Sequence, residues 1–345
     1  MRTKEVMQQF RYTGKTTEVY FDADFSLIEE KFQQDNIILI TDDNVYKAHS
    51  DKFFNKKVIV IKAGERFKNQ QTADAVIEQL IQFNADRQSL IIGVGGGVVT
   101  DVTGYVASVY MRGIRFGFAP TTILAMVDAC VGGKNGIDIG VYKNLVGVFN
   151  HPSFLLYDYS FLKTLPDEEW ISGFAEIIKH SCIRDREMFG QLKNLSIKKF
   201  RASVDDTADI IRRNVNIKYE VVAADEFEKG DRRLLNFGHT IGHAIENTTG
   251  LAHGKAISIG MHTACKISEL INNFDKKDTQ QVIDLLQQYD LPITYPFDKD
   301  ETWKILVHDK KKAGNSMNFV VLDSIGHASV KPILLDQLHK IFNSI

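Results

Sequence analysis

His239 and His243 stand four residues apart in the run R-R-L-L-N-F-G-H-T-I-G-H-A-I-E, and His253 follows a Gly250 break just ahead of a second apolar run, Ala256 to Ile267. On an α-helix that spacing puts both imidazoles on one face, one turn apart, and a helix-loop-helix would bring His253 back beside them. Two or three neutral imidazoles completed by a carboxylate suit a catalytic zinc with an open coordination position. Capping or core histidines would give the same spacing. Glu176 and Lys179 lie three apart in the helical run G-F-A-E-I-I-K-H, which makes Glu176 a candidate third ligand and Lys179 a neighbour that keeps it ionised; Glu176 with His180 is a competing one-turn pair.

A second constellation lies nearer the amino terminus. G-V-G-G-G-V-V-T-D (Gly93 to Asp101) sits between a strand and a helix, where glycines let backbone amides approach a phosphate at the positive helix end. Val98 stands where the usual dinucleotide fingerprint wants its last glycine. Asp42, at the end of an earlier strand, suits the hydroxyls of a ribose, or with Asp43 it simply caps the next segment. Basic residues stand beside glycine or asparagine at Arg112, Lys134 and Lys143-Asn144, with Lys179 in A-E-I-I-K; singly each reads as a solvated surface charge, and together they imply an anionic substrate.

The elements that must position these groups change character along the chain. Ile37 to Val45, Lys57 to Ile61, Ser89 to Val94, Arg115 to Ala119 and Phe154 to Asp158 read as strands, most of them apolar throughout, with helices at Thr72 to Phe83 and Val98 to Tyr110 between them. Such strands belong in a parallel sheet covered on both faces. Beyond them come helices near Asp167 to Ile183, Ser203 to Ala224, Leu235 to Thr248, Ala256 to Asn273 and Thr279 to Tyr289, a β-like segment at Asn318 to Leu322 and a terminal helix from Pro332. The pattern predicts an α/β chain: a Rossmann-like domain with a mostly parallel sheet over 1–158, and a mainly α-helical metal- and substrate-binding domain over 159–345.

Composition bounds the rest. The 345 residues are 44% hydrophobic and support full cores, as expected of a soluble globular protein. Net charge is -2, from 42 basic and 44 acidic residues with no long single-sign block, so no nucleic-acid or membrane partner is expected. Three cysteines, Cys130, Cys182 and Cys265, without C-x-x-C, indicate neither a disulfide framework nor a thiolate metal site, and fit a reducing cytoplasm. No signal-like segment and no apolar run of about 18 residues is present.

In combination, G-G-G-V-V-T-D, M-R-G, P-T-T-I-L-A-M-V-D, V-G-G-K, K-N-L-V-G, F-L-K-T-L-P, G-F-A-E-I-I-K-H, V-V-A-A-D-E, L-L-N-F-G-H-T-I-G-H-A-I-E and H-G-K-A-I-S-I-G-M resemble the 3-dehydroquinate synthase family of the shikimate pathway, from about Asp42 to Lys312. The resemblance implies an active site in the cleft between the two domains and a homodimer. It makes Glu176, His239 and His253 the ligands of Zn2+ (or Co2+), and His243 an acid/base. Asp42, Asn44, Glu65, Lys68, Gly96, Gly97, Asp101, Thr121, Thr122, Lys143 and Thr164 match NAD-contacting positions. Asp128, Lys134, Asn144, Lys179, Lys218, Glu228, Arg232 and Asn236 match positions lining the substrate; Arg112 reaches the phosphate across the dimer interface in the family, and Lys310 or Lys311 supplies a further lysine.

The reaction implied converts 3-deoxy-D-arabino-heptulosonate 7-phosphate, a sugar acid phosphate, to 3-dehydroquinate and phosphate by transient oxidation with NAD, β-elimination, re-reduction and aldol closure. His243 and Asn236 are expected one and two turns along one helical face. Three departures stand out. Lys255 replaces an acid common beside the metal ligand, and such carboxylates orient ligands; Cys130 and Asn135 replace Ser and Thr; Tyr142 replaces Gly. None removes a ligand. Competing readings are another sugar phosphate cyclase such as 2-deoxy-scyllo-inosose synthase, disfavoured by the carboxylate-binding cations Lys218 and Arg232; a metal-dependent alcohol or glycerol dehydrogenase, disfavoured by the basic cluster; and a non-catalytic nucleotide-binding relative, disfavoured by the metal triad.

Overall fold

The computed structural model describes residues 6–33, 35–140, 142–308 and 315–344. Its strands are β1 (Val6–Tyr12), β2 (Lys15–Phe21), β3 (Ile37–Asp42), β4 (Lys57–Ile61), β5 (Leu90–Gly95), β6 (Arg115–Pro120), β7 (Lys134–Ile139), β8 (Tyr142–Phe149), β9 (Phe154–Leu156), β10 (Ser316–Ser324) and β11 (His327–Leu334). Its helices are α1 (Leu27–Lys31), α2 (Asp43–Ala48), α3 (Gln70–Gln82), α4 (Gly97–Val109), α5 (Asp167–Arg184), α6 (Arg186–Leu192), α7 (Ile197–Ala202), α8 (Val204–Ala224), α9 (His239–Thr249), α10 (His253–Asn272), α11 (Lys276–Gln288), α12 (Lys299–His308) and α13 (Leu335–Ser344). The chain forms two compact units: one runs to Glu169 and takes in Val204–Glu226, the other comprises Trp170–Ser203 and the chain from Phe227 onward. Among the described residues no helix is long and apolar enough to cross a membrane.

The first unit is built on a sheet of order β1-β2-β9-β6-β5-β3-β4, parallel from β2 to β4, with β1 antiparallel at one edge. β5 is buried along its whole length, which explains its uninterrupted apolar sequence: both faces of a central parallel strand meet other elements. Each fully buried Ile or Leu there contributes about 1.5–3 kcal/mol. Because β3 has β4 on one side and β5 on the other, the strand order reverses between β3 and β5. Open α/β sheets bind ligands at the carboxyl ends of the strands beside such a reversal. α8 also belongs to this unit. Its Tyr219 stacks on Phe10 at 3.9 Å, and its Arg212 pairs with Asp22 at 2.7 Å.

Among its described residues the second unit is helical apart from the β10–β11 hairpin. Its core includes Phe174 of α5 stacked on Tyr289 at 4.8 Å and tilted against Phe200 at 5.0 Å.

The strand expected from Ile37 runs, as expected, into an acidic turn at its end: Asp42 accepts the N–H groups of Asn44 and Val45 and starts α2. Several elements differ from the sequence expectation. The helix expected from Leu235 starts at His239; Gly238, at φ +78°, breaks it, and Asn236 ends a separate tight turn over Asp231–Asn236. Asn236 is therefore not on the helical face of His243. α10 begins at His253, earlier than expected. β11 runs through Leu334 where a helix from Pro332 was expected. The hairpins β1–β2 and β7–β8 lie where no paired strands were expected.

Candidate active site

The second unit gathers the predicted metal group. Glu176 on α5 is fully buried, and its Oε1 lies 3.4 Å from His239 Nε2 and 3.2 Å from His253 Nε2. One donor atom from each of the three residues falls within a 4.8 Å group. The three helices carrying them meet through glycines. A Cβ on Gly260 of α10 would lie 1.9 Å from Gly238 O, at the start of α9, and one on Gly254 would lie 2.5 Å from Ser172 Cα of α5. Any larger residue at either position would push the helices apart.

The donors also have the right protonation chemistry. Burial, then the Lys179 charge, holds His239 well below its ordinary value of 6.5, so its lone pair is available for a metal. His239 Nδ1 lies 3.2 Å from Phe237 O, so it carries the ring proton and donates it to that carbonyl, turning Nε2 toward Glu176. Burial alone would lower His253, yet hydrogen bonds and charge from Glu176 and Glu246 prevail and raise it to about 9. Two carboxylates around one imidazole make an anionic pocket, which a divalent cation fits in place of the proton. Lys179, almost wholly buried, pairs with Glu176 Oε2. These residues therefore fit a divalent metal.

His243 joins the group. Its ring centroid lies 5.0 Å from that of His239 and 5.9 Å from that of His253. Asn236 Nδ2 donates to Glu228 Oε1 at 2.6 Å, and Arg232 is buried in the preceding tight turn. Glu246, in the quoted motif but given no role there, approaches His253 Nδ1 through its Oε2 at 3.3 Å. Its position three residues past His243 was the available signal. Lys255 is half-buried on α10, and nothing in the structure explains a lysine there.

The first unit assembles most of the predicted cofactor positions at the carboxyl edge of its sheet. The Gly95–Gly97 turn follows β5, Thr121 and Thr122 follow β6, and Asp42 ends β3. The Oγ1 atoms of Thr41 and Thr121 are buried without a hydrogen-bond partner. Each such orphan costs about 1–3 kcal/mol unless a ligand meets it. A Cβ on Gly95 would strike Val99 at 2.5 Å, so only glycine permits this tight entry into α4. These features fit a dinucleotide on the turn.

Lys68 Nζ lies 2.6 Å from Asp101 Oδ2 and 3.8 Å from Glu65 Oε1; burial would lower its pKa, but those carboxylates raise it. Lys143 Nζ is 3.9 Å from the same Glu65 oxygen. Burial raises Asp42, which spends Oδ1 on the cap. Asn44 is exposed in that first turn, and Thr122 Oγ1 accepts the Ala125 N–H at 3.1 Å. Thr164 ends the tight turn Tyr159–Thr164, and its Oγ1 lies 2.7 Å from Nε2 of His49, the residue that follows α2.

Of the predicted substrate positions, Lys218 Nζ sits 2.8 Å from Asp128 Oδ1 and donates to Asp128 O. Lys134 is exposed at the start of β7. Buried Asn135 braces the turn before it by donating to Gly133 O at 2.9 Å and Asn150 O at 2.8 Å. Asn144 takes a left-handed φ of +54°, its N–H donating to Asp138 Oδ1 at 2.7 Å. Arg112 is exposed, also left-handed at φ +67°. Cys130 packs its buried thiol 3.4 Å from Tyr157 Oη, and Tyr142 is exposed on β8. Lys310 and Lys311 lie outside the described residues.

Comparison with known proteins decides among the readings. Residues 58–172 match the model of the 3-dehydroquinate synthase N-terminal domain, and 173–312 that of its C-terminal domain. The chain is 41% identical over 296 residues to the 3-dehydroquinate synthase of Thermodesulfovibrio yellowstonii, covering 84% of this chain and 82% of that one. The chain belongs to the 3-dehydroquinate synthase family. A second member, from Leptospira interrogans, is 39% identical over 90% of both chains. Among solved structures the family's fold recurs in a 2-deoxy-scyllo-inosose synthase complexed with carbaglucose-6-phosphate, NAD+ and Co2+, at TM-score 0.85 and 25% identity over 98% of this chain and 100% of that one. It recurs also in the 2-epi-5-epi-valiolone synthase of Streptomyces hygroscopicus subsp. jinggangensis with NAD+ and Zn2+ bound, at TM-score 0.87 and 23% identity over 100% and 99% of the two chains. The 3-dehydroquinate synthase family thus places the chain among NAD-dependent cyclases.

Proposed function

We propose that the protein converts 3-deoxy-D-arabino-heptulosonate 7-phosphate to 3-dehydroquinate and phosphate, as a phosphate-eliminating carbon–oxygen lyase that requires NAD and a divalent metal, zinc or cobalt. The observation that carries this reading is the Glu176–His239–His253 group, with its carboxylate buried and paired to Lys179. When bound, NAD takes up and returns a hydride, and the metal ion stabilises negative charge developing on substrate oxygens.

The chain's own residues bind, orient and move protons. Glu176, His239 and His253 hold the metal. The Gly96–Gly97 turn, Thr121, Thr122, Asp101 and Lys68, with Asp42, Asn44, Glu65, Lys143 and Thr164, serve the dinucleotide. Lys134, Lys179, Lys218, Arg232 and Arg112 divide the phosphate and carboxylate, since Lys and Arg bind such oxygens through charge-assisted hydrogen bonds. Asp128 holds the Lys218 ammonium in place, and Asn236, braced by Glu228, offers a hydrogen bond to a hydroxyl. His243, half-buried among the ligands, exchanges protons with the substrate, its neutral form accepting and its charged form donating. Asn144 completes the substrate set.

Exposed apolar side chains on β8 and in the turn after α4, including Leu145, Phe149, Tyr142 and Met111, support a homodimer, which would let Arg112 serve a neighbouring subunit. All three cysteines are buried and unpaired, which suits a reducing cytoplasm. The test is phosphate release from 3-deoxy-D-arabino-heptulosonate 7-phosphate with catalytic NAD, before and after chelation and zinc repletion. Chelator-sensitive release without accumulating NADH is expected. No release with NAD and metal both bound, or turnover of glucose 6-phosphate instead, would refute the reading.

A further inference from the structure

His239 and His253 are oriented by different means. His239 is aimed by a backbone carbonyl, Phe237 O, which no side-chain substitution removes. His253 has Nε2 3.2 Å from Glu176 Oε1 and Nδ1 3.3 Å from Glu246 Oε2. A neutral imidazole carries one N–H, so presenting the Nε2 lone pair to a metal requires the proton on Nδ1. Glu246 is the acceptor placed to keep it there. Its side chain is 8% exposed, and it lies three residues beyond His243 on α9, hence on the same helical face. Donor atoms of His243, Glu246 and His253 all lie within 4.8 Å of one another.

Resting on the metal reading above, we propose that Glu246 is a positioning residue for the metal group: its carboxylate fixes the tautomer and ring plane of His253, strengthens that imidazole as a ligand, and links it to His243. The orienting charge comes from α9, while the position two residues past His253 carries Lys255.

The experiment measures zinc affinity by chelator competition, the visible spectrum of the Co2+-loaded protein, and the unfolding temperature of the metal-free protein, for wild type, Glu246→Gln and Glu246→Ala. Removing an outer carboxylate costs about 10–100-fold in affinity, expected for Glu246→Ala. Glu246→Gln keeps an acceptor but loses the charge, so a loss of roughly 3–10-fold is expected, with a shifted cobalt spectrum. A merely structural role would lower the metal-free unfolding temperature and leave that spectrum alone. Folded Glu246→Gln with wild-type zinc affinity and cobalt spectrum overturns the proposal, even where Glu246→Ala fails to fold. A wild type that binds neither zinc nor cobalt overturns the metal reading and this inference together.

Discussion

Replacing Gly254 with alanine tests how closely α5 and α10 must approach for the metal group to form. The added Cβ would sit 2.5 Å from Ser172 Cα and 2.6 Å from Ser172 O, both backbone atoms that no rotamer change can move. Carbon atoms pack at about 3.5–4.0 Å, so the first turn of α10 must retreat from α5 by about 1 Å. His253 is the adjoining residue, and its Nε2 faces Glu176 Oε1 across this junction at 3.2 Å. Metal sites tolerate ligand displacements of only ~0.2 Å, so the shift pulls one ligand out of range. Overpacking costs about 2 kcal/mol, or roughly 4–8 °C in unfolding temperature for a domain of this size. Zinc affinity should fall about 10-fold or more, the equivalent of at least ~1.4 kcal/mol. Thermal unfolding and chelator competition read the two effects separately. Gly250→Ala is the control: Gly250 sits at φ +69° with nothing within 4 Å of its would-be Cβ, so that substitution strains the backbone without parting any helices. It should lower stability by about 1–2 kcal/mol and leave zinc affinity unchanged. Gly254→Ala that binds zinc as tightly as wild type would refute the close-approach argument.

Three further outcomes are expected. Thr121→Val removes a buried hydroxyl that has no partner in the protein, so metal-free and NAD-free stability should hold or rise slightly, while NAD affinity measured by titration falls roughly 3–10-fold; unchanged NAD affinity would show that the hydroxyl is not a cofactor contact. Lys179→Met takes the ammonium away from Glu176 Oε2 and leaves the buried carboxylate to His239 and His253, so the metal-free protein should lose about 1–3 kcal/mol, with added zinc recovering part of the loss; a variant as stable as wild type without metal would contradict this. Burial holds His49 below its ordinary 6.5, so as the pH falls below 6.5 the unfolded chain takes up this proton more readily than the fold does, and stability declines on that acid side. His49→Gln should flatten the decline, and identical slopes in the two proteins would exclude His49 as its source.

Parts of the fold and the site were legible because they are written in consecutive residues. The unbroken apolar run of β5 announced a central parallel strand, and the glycines after it announced the turn into α4. The spacing of His239 and His243 placed both on α9, and the pairing of Glu176 with Lys179 followed from their three-residue separation. Resemblance of the ordered motifs then put forward Glu176, His239 and His253 as the proposed metal ligands, a choice that spacing alone had left open among Glu176, His180 and the three histidines of the motif.

Other features depend on contacts between distant segments, and only the tertiary structure decided them. α8 continues the helical texture of the later chain, yet it packs with the sheet unit, because Tyr219 finds Phe10 and Arg212 finds Asp22 about two hundred positions earlier. β10 and β11 needed each other before either was more than a short apolar run. Asn236 left the face of His243 because Gly238 adopts a left-handed conformation, at a point where a Cβ would strike Met261 and Ile257 of α10. Glu246 meets His253 only because glycines let α9 and α10 approach so closely. The sequence by itself determined which side chains were available and their local periodicity; which carboxylate faces which ring nitrogen was decided by the packing of helices, since hydrogen bonds form over ångströms and not over positions in the chain.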